Sequence, residues 1–269
     1  MGKVDRNELD PVQELLAQEL LTSGHGSEVY RGIWFRHFSK SASAITVAIT
    51  RKDDSQDISF PRLLHTNILQ FFDAAQAPCV IVSEYCSGGN LFDLLQNTTC
   101  PLTWVQRVGV LRDVASALEF LHEKDYIVKE LPSRQVFLSR SPTTSMVAKL
   151  DMNHTGCGCL QADIEPEIWR WRAPEVVSST YTRSSDVYSF GVFMFEVLSR
   201  KIPYDELEPQ VAQQCIAQGK RPNVELVQEH CPPQLLQLLH CCWEQPDARP
   251  TAAALHARLS EALEALAKT

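Results

Sequence analysis

The chain has 269 residues, of which 44% are hydrophobic and 22% charged, enough apolar material for one large domain or two lobes with real cores, which excludes a disordered chain. A formal net charge of −8 argues against a nucleic-acid or anionic-membrane surface, because both need clustered Lys and Arg. Nine cysteines, an odd number in a chain too large to need stapling, read as reduced thiols in a cytoplasmic setting rather than as a disulfide framework.

The start has no apolar signal-peptide segment, and Arg6 stands where a myristoylation motif wants Ser or Thr. Asp10 and Pro11 before "VQELLAQ" predict an N-cap, a first-turn proline and a short amphipathic helix, so residues 1–18 read as a leader. From residue 19 to 86, short apolar runs ("ELLTSG", "EVYRGIWF", "AITVAIT", "ILQFFDA", "CVIVSEY") broken by Gly, Ser and Asp predict closely spaced strands. After "CSGGN" the apolar period becomes helical, through "VQRVGVLRDVASALEFLHEK", "DVYSFGVFMFEVLSR" and "PPQLLQLLHCCWEQ". A β-rich region followed by a larger helical one reads as an α+β molecule of two lobes, 19–86 and 87–269. No run of 18 apolar residues suggests a membrane span. Cys157, Cys159, Cys241 and Cys242 lack the paired spacing of a structural zinc site and read as buried or half-buried thiols.

Three stretches of the second half carry more specific information: "WRWRAPEVV", "SSDVYSFGVFMFEVL" and "CCWEQPDARPT". In this order and spacing they resemble the protein kinase family, most closely its tyrosine-kinase-like and tyrosine-kinase branches. The resemblance runs over residues 19–265 and implies a bilobal protein-kinase-like fold, with a small β-rich N-lobe and a larger helical C-lobe. It places Ala173, Pro174 and Glu175 in the Ala-Pro-Glu motif, and Asp186 and Gly191 in the buried helix that follows. Arg249 falls where the family has the ion-pair partner of Glu175, a structural brace whose members depend on each other, since a buried charge without its partner is costly. Ser178, Ser179, Thr180 and Thr182 read as a hydroxyl-rich exposed turn, or else as regulatory phosphosites.

The resemblance also implies an adenine site: Val29 and Ala48 as its roof, Ser83 as gatekeeper, Glu84 to Cys86 as hinge and Phe137 as floor. Around it the chemical groups depart from the family. Anchored on Val29, the three glycine slots of the phosphate loop hold Thr22, Gly24 and Ser27, so only the middle glycine is kept and the backbone's approach to phosphate is narrowed. The slot of the phosphate-holding lysine is Thr50; Lys52 lies one strand repeat further on the same face. Counting back from "LLHTNIL" puts Gln56 in the slot of the lysine's glutamate partner. Fifteen residues separate Thr50 from His65, and Pro61 breaks what helix could form between them.

"VKELPSRQVFL" aligns with the family's catalytic loop. Glu130 then stands in the base position, one methylene longer than the family's aspartate; Pro132 replaces the loop lysine and Gln135 the metal-binding asparagine. An ångström of misplacement costs about a hundredfold in rate. The metal motif has two registers. Either Met152, Asn153 and His154 fill the Asp-Phe-Gly slots and the metal carboxylate is gone, or Asp151, Met152 and Asn153 do, and Asp151 remains as ligand beside a methionine in the apolar spine. Both leave Mg2+ poorly held, since the ion wants hard anionic oxygens or substrate phosphates.

Phosphoryl transfer depends mostly on positioning and electrostatics. The resemblance with these losses therefore implies a catalytically impaired kinase-like domain, a pseudokinase, acting as scaffold or allosteric partner of other signalling proteins, an active kinase among them. ATP binding would be weak and Mg2+ binding weaker. Two alternatives stay open: a slow Ser/Thr kinase using Glu130 as base, Asp151 for metal and Lys52 as substitute cation, and a nucleotide-binding switch without transfer.

Overall fold

The structure, a computed structural model, describes residues 15–24, 27–38, 41–52, 63–76, 79–140, 146–152, 168–177, 180–227 and 230–268. The first part is a five-stranded antiparallel sheet in the order β1-β2-β3-β5-β4, made of β1 (Leu15–Gly24), β2 (Ser27–Phe38), β3 (Ser41–Lys52), β4 (Phe71–Gln76) and β5 (Cys79–Glu84). Alternation decides its faces. Val47 and Ile49 of β3 are buried with Trp34, Ala75, Val80 and Val82 in one apolar cluster, while Ala48 and Thr50 point the other way. Gly32 is required where the strands crowd: a Cβ there would lie 2.3 Å from Ile49 Cδ1 and 2.9 Å from the Leu16 carbonyl.

The leader helix expected over residues 1–18 is corrected at its C-terminal end. Leu15, Leu16 and Ala17 belong to β1, paired with Trp34, Ile33 and Gly32 of β2. Helical spacing of the leucines lost to the ladder, because a short isolated helix is marginal in water whereas the open edge of β2 offers a partner for the backbone. Residues 1–14 lie outside the described residues, as do Gln56 and Pro61 of the shortened-helix expectation.

The larger part is helical. Asn90 caps α1 (Leu91–Gln96), accepting from the Phe92 amide at 2.8 Å, and a Thr103/Gln106 capping box starts α2 (Trp104–Glu123). A second box, Thr182/Ser185, starts α3 (Arg183–Ser199), which gives the Thr182 hydroxyl a structural task. From Ser185 to Ser199 every residue of α3 is buried; a helix buried on all sides forms the core of the lobe, and its polar side chains need partners inside. It ends at Arg200 in the left-handed region (φ 58°), whose guanidinium donates to the carbonyls of Leu94, Leu95, Asn97 and Cys100. Around it lie α4 (Pro209–Ala217), α5 (Pro233–Cys242) and α6 (Ala252–Leu266). The last of these packs along α2.

Between the two parts sits a small ribbon, β6 (Val136–Leu138) paired with β7 (Ala148–Leu150). Three bonds tie the N-terminal part to it. Leu150 N–H donates to Asn67 O (2.8 Å), Leu69 N–H to Leu150 O (2.9 Å), and the buried Asn67 amide to Ala148 O (3.1 Å). Lys149 Nζ adds contacts to the Glu84 carboxylate at 3.0 Å and the Thr66 carbonyl at 2.9 Å. The bilobal α+β architecture is thus as the sequence implied.

Candidate active site

The register of the sheet places the roof. Val29 pairs with Thr50 and Arg31 with Ala48 across β2 and β3; Thr50 in turn pairs with Ile81 and Ala48 with Ser83 across β3 and β5. Directly opposed residues share a face, so Val29, Ala48, Thr50 and Ser83 stand together on the face opposite the apolar cluster. Thr22 opposes Val29, and Gly24 opposes Ser27 at the end of the first hairpin. Lys52 is paired with Ser27, one repeat beyond Thr50. Thr50, which the resemblance puts in the slot of the phosphate-holding lysine, thus lies between Val29 and Ile81 on this face.

At the end of β5 the chain leaves the sheet through Tyr85 and Cys86. Glu84 accepts from the Gln70 amide (3.3 Å) as well as from Lys149, and Ser83 is buried. Cys86 is buried too, which pushes its thiol up to about 12 and makes it a poor nucleophile. Phe137, half-buried in β6, bridges to Asn90 at the entry to α1. The Asn90 amide donates to the Arg134 carbonyl at 2.6 Å.

The loop before β6 is held from below by α3. Asp186 Oδ2 accepts from the Val128 amide (2.8 Å) and contacts His122 Nε2 (2.9 Å); Oδ1 accepts from the Lys129 amide (2.7 Å), with Lys129 at φ 78°. Burial pushes the Asp186 carboxyl up, and the His122 contact and backbone donors pull it back. Two residues on, Leu131 N–H donates to Ser189 Oγ at 2.7 Å. Glu196, fully inside, receives the Ser133 amide (3.1 Å), the Ser133 hydroxyl (2.8 Å) and the Trp171 indole N–H (2.6 Å). Pro132, buried, supplies the carbonyl that accepts from Gln135 N–H at 3.0 Å.

Glu130 is 0% exposed. Its Oε1 accepts from Arg172 Nε at 2.8 Å and from the Tyr181 hydroxyl. Burial of the phenol, then its bond to the carboxylate, raises Tyr181 well above the usual tyrosine range. Arg172 is raised as well: burial alone would lower it, and the hydrogen bond and charge of Glu130 prevail.

Across the ribbon, Asp151 N–H donates to Gln135 O at 2.8 Å, and both residues are buried. The Gln135 Oε1 has no hydrogen-bond partner among the described residues. Met152 is buried in the main core cluster. Asn153 and His154 lie outside the described residues, as do Cys157, Cys159, Ser178 and Ser179. Among the described residues no group of three His, Cys, Asp or Glu could hold a metal ion.

Glu175 and Arg249 meet as the resemblance implied, with contacts of 2.5 and 3.0 Å; Arg249 also donates to the carbonyls of Ser184 (3.0 Å) and Glu244 (2.9 Å). Burial would raise the Glu175 carboxyl, but the Arg249 hydrogen bonds outweigh it and hold it below its ordinary value. Sequence reasoning missed Arg172, Tyr181, Glu196 and Lys149. The only available signal was the charge of Glu196 inside an apolar helical run, which demands a buried partner.

A family model described as protein tyrosine and serine/threonine kinase matches residues 15–259. Among curated proteins, the chain is 29% identical to Serine/threonine/tyrosine-protein kinase HT1 of Arabidopsis thaliana over 89% of its length, and spans 64% of that protein. It is 26% identical to Tyrosine-protein kinase ABL2 of Homo sapiens over 90% of its length, spanning 21% of that relative. It is also 27% identical to "Probable serine/threonine-protein kinase roco7" of Dictyostelium discoideum over 93% of its length, but spans only 10% of that protein.

Proposed function

The chain belongs to the protein tyrosine and serine/threonine kinase family, and we propose that it is a pseudokinase, a member that has lost efficient phosphoryl transfer. It acts by binding, as scaffold or allosteric partner of cytoplasmic signalling proteins. The observation that carries this reading is Thr50, which stands between Val29 and Ile81 in the sheet and which the family resemblance puts in the slot of the phosphate-holding lysine. Its neutral hydroxyl cannot supply the charge that a transferring phosphoryl group needs, and removing one such stabiliser costs about 10²–10³ in rate. Pro132 at the loop-lysine position compounds the loss.

A second reading, a nucleotide-binding switch without transfer, is favoured by the apolar roof of Val29 and Ala48, by the hinge, and by Gln135 Oε1, unpartnered among the described residues, on a residue whose carbonyl accepts from the Asp151 amide. The burial of Met152 in the core supports the register that keeps Asp151 as the ligand. Gln135 and Asp151 would hold Mg2+ only together with nucleotide phosphates, because one carboxylate and one amide oxygen are a small donor set. The slow-kinase alternative finds less support, since Glu130 is already engaged by two donors.

A thermal-shift titration with ATP, with and without Mg2+, separates the readings, because a ligand of the folded state raises apparent stability by about 0.4 kcal/mol at a concentration equal to its Kd. The scaffold reading expects no shift at millimolar nucleotide. A shift without turnover selects the switch. Phosphorylation of a peptide by the purified chain, lost in Glu130→Gln, would overturn both.

A further inference from the structure

A carboxylate in the base position works by accepting the proton of an acceptor hydroxyl, so that hydroxyl must sit where an O–H can point at the carboxylate oxygen. Here such an O–H is already present. Three separated segments meet at Oε1 of Glu130: the loop before β6, the residue after the Ile168–Trp171 turn, and the approach to α3. Arg172 Nε occupies one side of the oxygen and the Tyr181 phenol another. Lys129 Nζ lies 5.8 Å from the centre of the Tyr181 ring, a cation at the outer side of the phenol. Glu130 is fully buried beneath them, and Arg172 and Tyr181 are half-buried.

We propose that Tyr181 is an internal surrogate acceptor, its phenol lodged at the acceptor-hydroxyl position on Glu130 and fixed there by Arg172. This rests on the family reading that places Glu130 in the base position. The extra methylene of Glu130 is what permits the contact. An aspartate would draw the carboxylate back by about 1.5 Å, one carbon–carbon bond, and break a hydrogen bond that weakens steeply with stretching. The position is thus closed to serine, threonine or tyrosine side chains of another protein for as long as the phenol stays. The phenol's hydrogen bond and the charge of Arg172 together satisfy a fully buried carboxylate, which would be costly if left unpaired.

The contact is read directly by 13Cζ-tyrosine NMR of the whole chain, with Tyr181→Phe identifying the resonance. At pH 10.5 a free tyrosine is mostly ionised, its pKa being about 10. Tyr181 is expected to remain protonated there, and to ionise at least one pH unit earlier in Glu130→Gln, or in Glu130→Asp should the first variant fail to fold. A Tyr181 resonance that titrates as free tyrosine does and ignores both substitutions would overturn the contact. Its inhibitory consequence is tested in a chain carrying Thr50→Lys and Pro132→Lys, assayed with a random Glu/Tyr copolymer and Mn-ATP. Adding Tyr181→Phe is expected to raise the rate at least tenfold, and equal rates, including no turnover in either chain, overturn the inhibitory role. Transfer by the unaltered chain, alongside a late-titrating Tyr181, would count against the proposed function and leave the contact standing.

Discussion

Replacing Asp186 by Asn probes the attachment of the Glu130 loop to the core. The carboxylate has three donors around it, at 2.7, 2.8 and 2.9 Å, while an asparagine presents one oxygen and one NH2. With Nδ2 at the present Oδ1 site, it faces the Lys129 amide, which is pinned by a backbone at φ 78°. With Nδ2 at the Oδ2 site, His122 can change tautomer to accept from it, but the Val128 amide is left facing another donor. Either way one buried N–H is orphaned, at about 1–3 kcal/mol, and the remaining bonds lose their charge assistance. A total of about 3 kcal/mol is expected. With a urea slope of about 3 kcal/mol per M, the unfolding midpoint falls by about 1 M, and the Val128 and Lys129 amides exchange faster than those of α3. A midpoint within about 0.2 M of the unaltered chain, with exchange unchanged, would refute the idea that Asp186 holds the loop.

Trp171→Phe removes the indole donor to the buried Glu196 and is expected to cost about 2 kcal/mol, read as a fall in Tm of about 4–8 °C. No fall would mean that the indole bond is not formed. Gly191→Ala puts a Cβ 2.7 Å from both Cys242 Cβ and Trp243 Nε1; overpacking of that kind costs about 1–3 kcal/mol, and a neutral or stabilising result in the same scan would sink the packing argument. Glu175→Gln weakens the brace to Arg249 by about 2 kcal/mol at pH 7, the partial exposure of Glu175 placing it below a fully buried pair. Because the Glu175 carboxyl is depressed in the folded chain, its contribution is complete above the unfolded value of about 4.3 and vanishes as pH falls through the folded one. The difference between variant and parent should therefore close below about pH 4 in urea titrations, and a gap independent of pH would contradict the ion pair.

The sequence by itself determined what local pattern and composition can encode. The change from alternating to helical period announced the two lobes. The stretch 186–200 showed a helical apolar period, and the family resemblance implied that this helix is buried. The family resemblance let Thr50, Pro132 and Gln135 be aligned to its motifs by counting from neighbouring stretches, and it implied the pairing of Glu175 with Arg249. The beginning of β1 escaped, since "VQELLAQ" has a good helical pattern and only the free edge of β2 overrides it. Local sequence left two registers open at Asp151, because it could not show that the Asp151 amide donates to Gln135 or that Met152 is buried in the core. Tertiary structure alone decided the surroundings of Glu130. Arg172 and Tyr181 lie 42 and 51 residues away, and Glu196 reaches Ser133 across 63. Such contacts are made by side chains whose local sequence is indifferent to them, and they exist only because α3, packed on every side, brings the loops around it to one place.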